Sequence, residues 1–333
     1  MPRLRRVDAA APGLARRRAG RGFAYFDEAG RRVTDSDVVD RIRALAIPPA
    51  WTDVWICPYA DGHIQAMGTD AAGRRQYRYH DAWRTRRDAQ KFDHMLRFAR
   101  VLPRLRKRIA ADLTSTDELT YERVLACAAR LLDLGFFRIG TEGYAETNQT
   151  YGLATMRKEH VRVSGDKVRF DYVAKSGKRR LQSVVDPEVA AVVRALKRRR
   201  GGGQELLAYR RDGAWYDVRS ADVNAYLKAV TGEEITAKDF RTWNATVLAA
   251  VALAVSEEAR SEAARKRAIA RAMCEVSHYL GNTPAVCRAS YVDPRVVECF
   301  REGRTVARAV VGGRDVEAAV LNLLSQPALA RAS

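Results

Sequence analysis

Cysteine is sparse and scattered in this chain of 333 residues. Cys57, Cys127, Cys274, Cys287 and Cys299 form no CxxC pair, so neither a disulfide framework nor a zinc site is indicated. A reducing cytoplasm fits that usage. The histidines are dispersed as well, and no His/Asp/Glu cluster has metal-ligand spacing; no metal is expected. Long apolar runs are lacking. The longest, Val247–Val255, is too short to cross a bilayer, and no membrane association is expected. The first twenty residues are basic and rich in Ala and Gly, with no apolar segment behind the charges, which argues against a secretory signal. Residues 1–20 are expected to be a flexible basic arm. Acidic residues are in the minority: 40 Asp and Glu face 59 Lys and Arg, giving a formal net charge of +19 and a pI of about 10.1. Such an excess in a folded chain points to a polyanion, nucleic acid before anionic membrane, because no basic amphipathic helix with an aromatic face stands out.

What is present is enough for two cores. The hydrophobic share of 47% fits globular protein, and the length suits two domains. Residues 21–90 look strand-rich. Phe23–Thr34 reads as a hairpin around Glu28-Ala29-Gly30. Val38, Val39, Ile42 and Leu45 then recur at helical spacing behind Asp35 and Ser36, which can cap. "VWICPY", "HIQAMGTD" and "RRQYRYH" read as a meander of three strands. From Trp83 the period becomes helical, which places a boundary between residues 85 and 100. The rest, 91–333, reads as mainly helical with one small antiparallel sheet in His160–Val185, where Val161, Val163, Val168, Phe170 and Tyr172 alternate with polar residues. Arg198–Glu205 reads as a surface loop between helices, and Val316–Leu329 as a final amphipathic helix. The expected class is α+β: a small antiparallel sheet domain followed by a larger, mainly helical one.

Five side chains stand at structural edges. Arg138 follows a Phe-Phe pair in "GFFRIG", Lys175 sits at a hairpin tip in "YVAKSGK", and Arg241 lies early in a helix in "KDFRTW". Asn282 and Tyr291 belong to "YLGNTPAVCRASYVDP". Each alone has an ordinary explanation: a snorkelling or paired Arg, a solvated Lys, a capping Asn, a packed Tyr. Their order changes that. Arg, then Lys on a small sheet, then Lys-x-x-Arg, then Gly-Asn-Thr-Pro, then Tyr nine residues after the Asn resembles the type IB DNA topoisomerases, and is similar to their small poxvirus-like and bacterial members. The resemblance spans nearly the whole chain; Ile47–Asp93 is similar to that subfamily's DNA-clamping β domain. It implies the tyrosine recombinase/topoisomerase IB catalytic fold, an ATP-independent and metal-independent enzyme without small-molecule cofactor, and a monomer that acts on duplex DNA in the cytoplasm, associated with the nucleoid.

Carried onto these positions, the resemblance makes Tyr291 the nucleophile, assisted by Arg138, Lys175, Arg241 and Asn282. Poxvirus members have His at the last position and bacterial relatives have Asn. Asn282 can donate a hydrogen bond but cannot take up a proton at neutral pH. Gln76, Tyr77 and Tyr79 are similar to groove-facing contacts, Tyr144 to a phosphate or base contact, and Lys238, one turn ahead of Arg241, is placed to reach a base edge or phosphate. Arg74, Arg75, Arg84, Arg86 and Arg87 are phosphate candidates, or else a solvated face. The chemistry is coherent without the family. Two guanidinium forks suit the non-bridging oxygens of a phosphodiester and favour phenolate at a tyrosine that is otherwise ionised in only about one molecule in a thousand at neutral pH. The departing 5′ alkoxide needs a proton, which Lys175 on a hairpin can deliver. A covalent 3′-phosphotyrosyl bond keeps the energy of the broken linkage. Two alternatives remain at this point: a tyrosine recombinase, which shares the Arg, Lys, x-x-Arg, Tyr order, and a non-catalytic DNA-binding protein.

Overall fold

The structure, a computed structural model, describes residues 3–256, 261–306 and 315–326, apart from the side chain of Tyr144. The chain divides into two compact units, Met1–Asp93 and His94–Ser333.

The first unit is built on a five-stranded antiparallel sheet in the order β2-β1-β3-β4-β5. Its strands are β1 (Leu14–Ala19), β2 (Gly22–Phe26), β3 (Thr52–Ile56), β4 (Ile64–Thr69) and β5 (Arg75–Tyr79), and α1 (Ser36–Ala44) lies between β2 and β3. The expected helix and three-strand meander are found. Asp35 caps α1 by accepting the N–H groups of Asp37 and Val38. Ile42 of α1 packs with Val54, Ile56 and Ala66 of the sheet, and Leu14, Val38 and Leu45 close over them.

One expectation fails here and another holds only in part. The stretch 1–20 is not an arm throughout, because Leu14–Ala19 forms β1, paired with β2 on one side and β3 on the other. The physical reason is that its arginines are not simply solvated. Arg16 donates to the carbonyls of Ile47 (3.1 Å), Pro48 (3.0 Å) and Trp51 (2.7 Å), and its guanidinium lies over Phe23. The hairpin expected over Phe23–Thr34 is present but short: the Asp27 N–H donates to the Arg31 carbonyl and the Val33 N–H to the Tyr25 carbonyl (2.9 Å each) around the Phe26–Arg32 bridge, while the regular pairing of β2 is with β1 through Gly20, whose φ is +55°.

A 34-residue helix, α2 (Asp81–Thr114), carries the chain through the division between the units. The second unit continues with α3 (Tyr121–Leu134), α4 (Glu142–Asn148), β6 (Val161–Ser164), β7 (Lys167–Ala174), β8 (Lys178–Val185) and α5 (Pro187–Arg198). Then come β9 (Ala208–Arg211), β10 (Ala214–Asp217), α6 (Ser220–Thr231), α7 (Ala237–Ala254), α8 (Glu262–Leu280), α9 (Pro284–Ser290), α10 (Pro294–Arg301) and α11 (Val316–Ser325). The expected small sheet is β6-β7-β8, with Val161, Val168, Phe170, Tyr172 and Val184 buried on one face. Arg198–Glu205 leads not to a helix but to the β9–β10 hairpin, whose Asp212-Gly213 turn has φ of 50° and 79° at its two residues. That pair of positive φ values is what a two-residue turn between twisted strands requires.

Helices α2, α3, α7 and α11 are joined by charge as well as by apolar packing. Arg106 of α2 chelates Asp133 of α3 (2.9 and 2.8 Å) and binds Glu317 of α11 (2.6 Å). Trp243 of α7 donates to the same Glu317 (3.3 Å). The Asp133 side chain is only 2% exposed, so its charge depends on these partners. Of the C-terminal segment expected as a helix, Pro327–Leu329 lies outside the described residues.

Candidate active site

Three segments of the second unit bring Arg138, Arg241, Asn282 and Tyr291 together. The first is the exit from α3. Phe137 is fully buried edge-on against Phe170 of β7, which anchors the chain one residue before Arg138. Beyond it, the N–H groups of Leu153 and Ala154 donate to the carbonyls of Arg138 and Ile139 (2.8 Å each). The backbones cross at Gly140 and Gly152. A Cβ on Gly140 would lie 2.8 Å from Gly152 Cα, and Gly140 itself has φ +79°. Only glycine fits such a crossing.

The second segment is the start of α7. Asp239 closes the helix N-terminus by accepting the Thr236 N–H (2.8 Å), and two residues later Arg241 is 4% exposed. Arg241 donates to the carbonyls of Phe136 and Leu280 (3.1 Å for the latter). Burial lowers its guanidinium to about 10, so it stays protonated at neutral pH.

The third segment runs from the end of α8 to α10. Gly281, with φ +64°, terminates α8, and Thr283 caps α9 by accepting the Val286 N–H (3.3 Å). The cap of α9 is thus Thr283 and not Asn282, which leaves the asparagine side chain for another use. Its Oδ1 accepts from Arg138, which also donates to the Gly281 carbonyl (3.3 Å). Tyr291 ends α9 with φ −128° and ψ −32°. Its N–H is held by the Cys287 carbonyl (3.0 Å) and its own carbonyl by the buried Thr246 hydroxyl of α7 (3.2 Å). The half-buried phenol ring then faces Arg241, whose Cζ lies 5.3 Å from the ring centroid. Burial pushes the phenol pKa up, but the nearby charges of Arg241, Arg138 and Lys238 outweigh it, and the net shift is downward.

Two buried donors in this cluster, Arg241 Nε and Asn282 Nδ2, have no acceptor among the described residues. Lys238 is exposed on the first turn of α7. Lys175 is exposed at the tip of the β7–β8 hairpin, where Ser176 and Gly177 both have positive φ. It stands three residues beyond Tyr172, a buried tyrosine whose raised pKa is moderated by Arg180, Arg241 and Arg138.

The other candidates lie elsewhere. In the first unit, β5 is an edge strand whose alternation exposes Arg75, Tyr77 and Tyr79, and the two rings lie 6.0 Å apart, stacked at 23°. Gln76 falls on the opposite face, with its amide on Asp70 (2.9 Å). Arg74 pairs with the same Asp70 (2.9 Å), and the hydrogen bonds from the Arg74 backbone and side chain, against slight desolvation, hold that carboxyl at about 2. Arg84, Arg86 and Arg87 are exposed on the first turns of α2. Tyr144 belongs to α4, but its side chain lies outside the described residues. Among the described residues no group of three His, Cys, Asp or Glu side chains is placed to hold a metal ion, and no helix is long and apolar enough to cross a membrane.

Sequence reasoning passed over three residues that build the site: Thr246, Tyr172 and Arg180. Thr246 carries no signal, being one of many small residues on α7. Tyr172 and Arg180 are cross-strand partners, and that register could have been counted outward from the Lys175 turn.

A small sheet packed into a mainly helical unit, with two arginines and a tyrosine converging beside it, defines the catalytic fold shared by tyrosine recombinases and type IB topoisomerases. Comparison with known families narrows this. Residues 80–302 match the family described as the eukaryotic DNA topoisomerase I catalytic core, and residues 22–70 match the bacterial DNA topoisomerase IB N-terminal domain. The DNA topoisomerase 1B of Acanthamoeba polyphaga mimivirus is 31% identical over 297 residues, which cover 87% of this chain and 88% of that protein. The DNA topoisomerase 1B of vaccinia virus strain Copenhagen is 28% identical over 42% of this chain and 46% of that protein. The DNA topoisomerase 1 of Schizosaccharomyces pombe is 30% identical over 48% of this chain but only 19% of the yeast protein. The chain belongs to the type IB DNA topoisomerase family, and that membership sets aside the recombinase and the non-catalytic alternatives.

Proposed function

We propose that this enzyme relaxes positively and negatively supercoiled DNA without ATP or metal, by breaking one strand, letting the duplex swivel and resealing it. Tyr291 attacks the scissile phosphate and forms a 3′-phosphotyrosyl bond. Arg138 and Arg241 place their guanidiniums on the non-bridging oxygens, Asn282 adds a hydrogen bond to one of them, and Lys175 protonates the departing 5′ oxygen. Arg74, Arg75, Gln76, Tyr77, Tyr79, Tyr144 and Lys238 contact the duplex. The enzyme acts as a monomer, associated with the nucleoid.

The observation that carries this reading is the pair of buried donors beside Tyr291, Arg241 Nε and Asn282 Nδ2, that have no acceptor among the described residues. A buried donor left unpaired costs about 1–3 kcal/mol. A phosphate oxygen is an acceptor that both can use, next to a tyrosine whose phenol pKa is lowered by neighbouring cations. Asn282 cannot serve as a general base, so the two cations carry the activation of the phenol.

The test is relaxation of supercoiled plasmid in EDTA with no nucleotide. Wild type gives a ladder of relaxed topoisomers. Tyr291→Phe binds DNA with unchanged affinity and gives no ladder. Relaxation by Tyr291→Phe at the wild-type rate defeats the assignment of the nucleophile, and a strict need for divalent metal or nucleotide defeats the mechanism.

A further inference from the structure

The C-terminal carbonyls of α8 are taken by three arginines from three different elements. Arg241 of α7 donates to Leu280 (3.1 Å), and Arg138 beyond α3 donates to Gly281 (3.3 Å). Arg180 of β8 spans the remaining pair, His278 (3.0 Å) and Tyr279 (2.5 Å). A helix C-terminus carries partial negative charge, and a planar fork across two of its carbonyls is a strong, directional contact. Gly281 makes room for it: a Cβ there would lie 3.0 Å from Arg180 Nη1 and 3.3 Å from Cζ.

The proposed chemistry uses Arg138 and Arg241 and leaves Arg180 unexplained. Its backbone belongs to the hairpin whose tip is Lys175, and it stands opposite Tyr172 in the β7–β8 register. The charge of the same guanidinium holds down the raised pKa of the buried Tyr172 phenol, so Arg180 stands beside both strands of the hairpin and is bonded to the helix end at once.

We propose that Arg180 is a positioning residue for strand cleavage: it ties the β7–β8 hairpin to the end of α8 and thereby sets Lys175 against the phosphate that Tyr291 attacks. This rests on the reading of Lys175 as the acid and Tyr291 as the nucleophile. The division of labour follows from what else holds each part. Without Arg180, the end of α8 keeps Arg138 and Arg241, and Tyr291 keeps its bonds to Cys287 and Thr246. The hairpin keeps its pairing with β6 and the Tyr151 N–H bond to the Val173 carbonyl (2.8 Å), both on the β7 side, and β8 loses the Arg180 bonds to α8. Loss of Arg180 therefore misplaces the acid and spares the nucleophile.

In the step concerned, the Tyr291 oxygen forms a bond to phosphorus as the bond from phosphorus to the 5′ oxygen breaks. The 5′ oxygen takes the electron pair and a proton from the Lys175 ammonium, and the phenol proton passes to solvent. If sulfur replaces that bridging oxygen, the group departs as a thiolate, whose conjugate acid has a pKa of about 8.5, and needs no proton from the protein. A defect in proton delivery is then bypassed, whereas a defect at Tyr291 is not.

The experiment is single-turnover cleavage by the full chain of duplexes carrying oxygen or sulfur at the bridging 5′ position of one mapped cleavage site. Arg180→Ala is expected to slow the oxygen substrate by about 10²-fold, the cost of roughly an ångström of misplacement. On sulfur it should run within about threefold of wild type. Arg180→Lys, which keeps the charge and one donor, should recover part of the loss and serves as the test if the alanine variant does not fold. Equal slowing on both substrates, or none on oxygen, overturns the proposal. Lys175→Ala run in parallel separates the two layers. If sulfur fails to rescue it, the acid assignment falls and takes this proposal with it; if sulfur rescues Lys175→Ala but not Arg180→Ala, only the role of Arg180 falls.

Discussion

Burial and charge act in opposite directions on the Tyr291 hydroxyl. Burial disfavours the phenolate, while Arg241, Arg138 and Lys238 favour it, and the charges prevail. The native state therefore gives up this proton before the unfolded chain does. The resulting stabilisation is fully present above the ordinary tyrosine pKa of about 10 and is lost as pH falls through the lowered native value. Subtracting the spectrophotometric titration of Tyr291→Phe from that of wild type isolates this one phenol. Its midpoint should fall below 10 and should move up in Arg138→Ala; a midpoint at or above 10 would show that burial prevails. At this scale the sequence was most informative. Arg138, Arg241, Asn282 and Tyr291 were legible from their order along the chain, and the structure brings the four side chains together. Thr246 and Arg180 were not, because what they hold are backbone carbonyls, and any residue supplies a carbonyl. Asn282 looked like a cap in sequence, but capping falls to Thr283, and that exchange leaves its amide beside Arg138.

Among the elements, the crossing of Gly140 and Gly152 fixes where Arg138 can stand. A Cβ on Gly152 meets the Gly140 backbone, which is itself bonded in place and cannot yield as a side-chain tip would. Gly152→Ala should destabilise the second unit by about 1–3 kcal/mol, the usual cost of overpacking, and should reduce cleavage more than DNA binding. Gly143→Ala provides the contrast. It lies within α4 with no atom near its would-be Cβ, so the substitution should stabilise by about 0.5–1 kcal/mol. Thermal unfolding of the two variants decides the matter; a neutral Gly152→Ala would mean that the crossing is looser than it looks. The elements themselves were unevenly legible. The β3–β5 meander, α1 and the β6–β8 sheet followed from apolar alternation or helical spacing, because each buries one clear face. Strand β1 was hidden because its middle is Arg16-Arg17-Arg18, and arginines in a strand show in sequence only their charge and not the carbonyls they reach. The β9–β10 hairpin did have a signal, the Asp212-Gly213 pair, but it stood beside a Gly-rich stretch that suggested an open loop.

Over the whole molecule, the net charge of +19 says that an anion is bound but not which cations bind it. Ion pairing separates them. Arg31, Arg74 and Arg179 each sit 2.6–2.9 Å from an aspartate oxygen, so part of their charge is already balanced before DNA arrives. Arg84, Arg86 and Arg87 are exposed on the first turns of α2 and make no salt bridge among the described residues. Each unpaired cation that meets a phosphate releases counterions, and log K falls with log salt by about 0.9 per contact on duplex DNA. Replacing Arg84, Arg86 and Arg87 together by alanine should therefore flatten the salt dependence of binding by up to about 2.7 in slope. Arg179→Ala should change it by much less, since its charge is already balanced by Asp171 (2.6 Å) before DNA arrives. Once DNA is saturating, the triple variant should cleave at the wild-type rate if, as proposed, the reacting phosphate is met by Arg138, Arg241, Asn282 and Lys175 alone. Affinities measured by fluorescence anisotropy between 50 and 300 mM salt give the slopes. If the triple variant keeps the full slope, the phosphate contacts lie elsewhere on the surface, and α2 is merely a solvated helix.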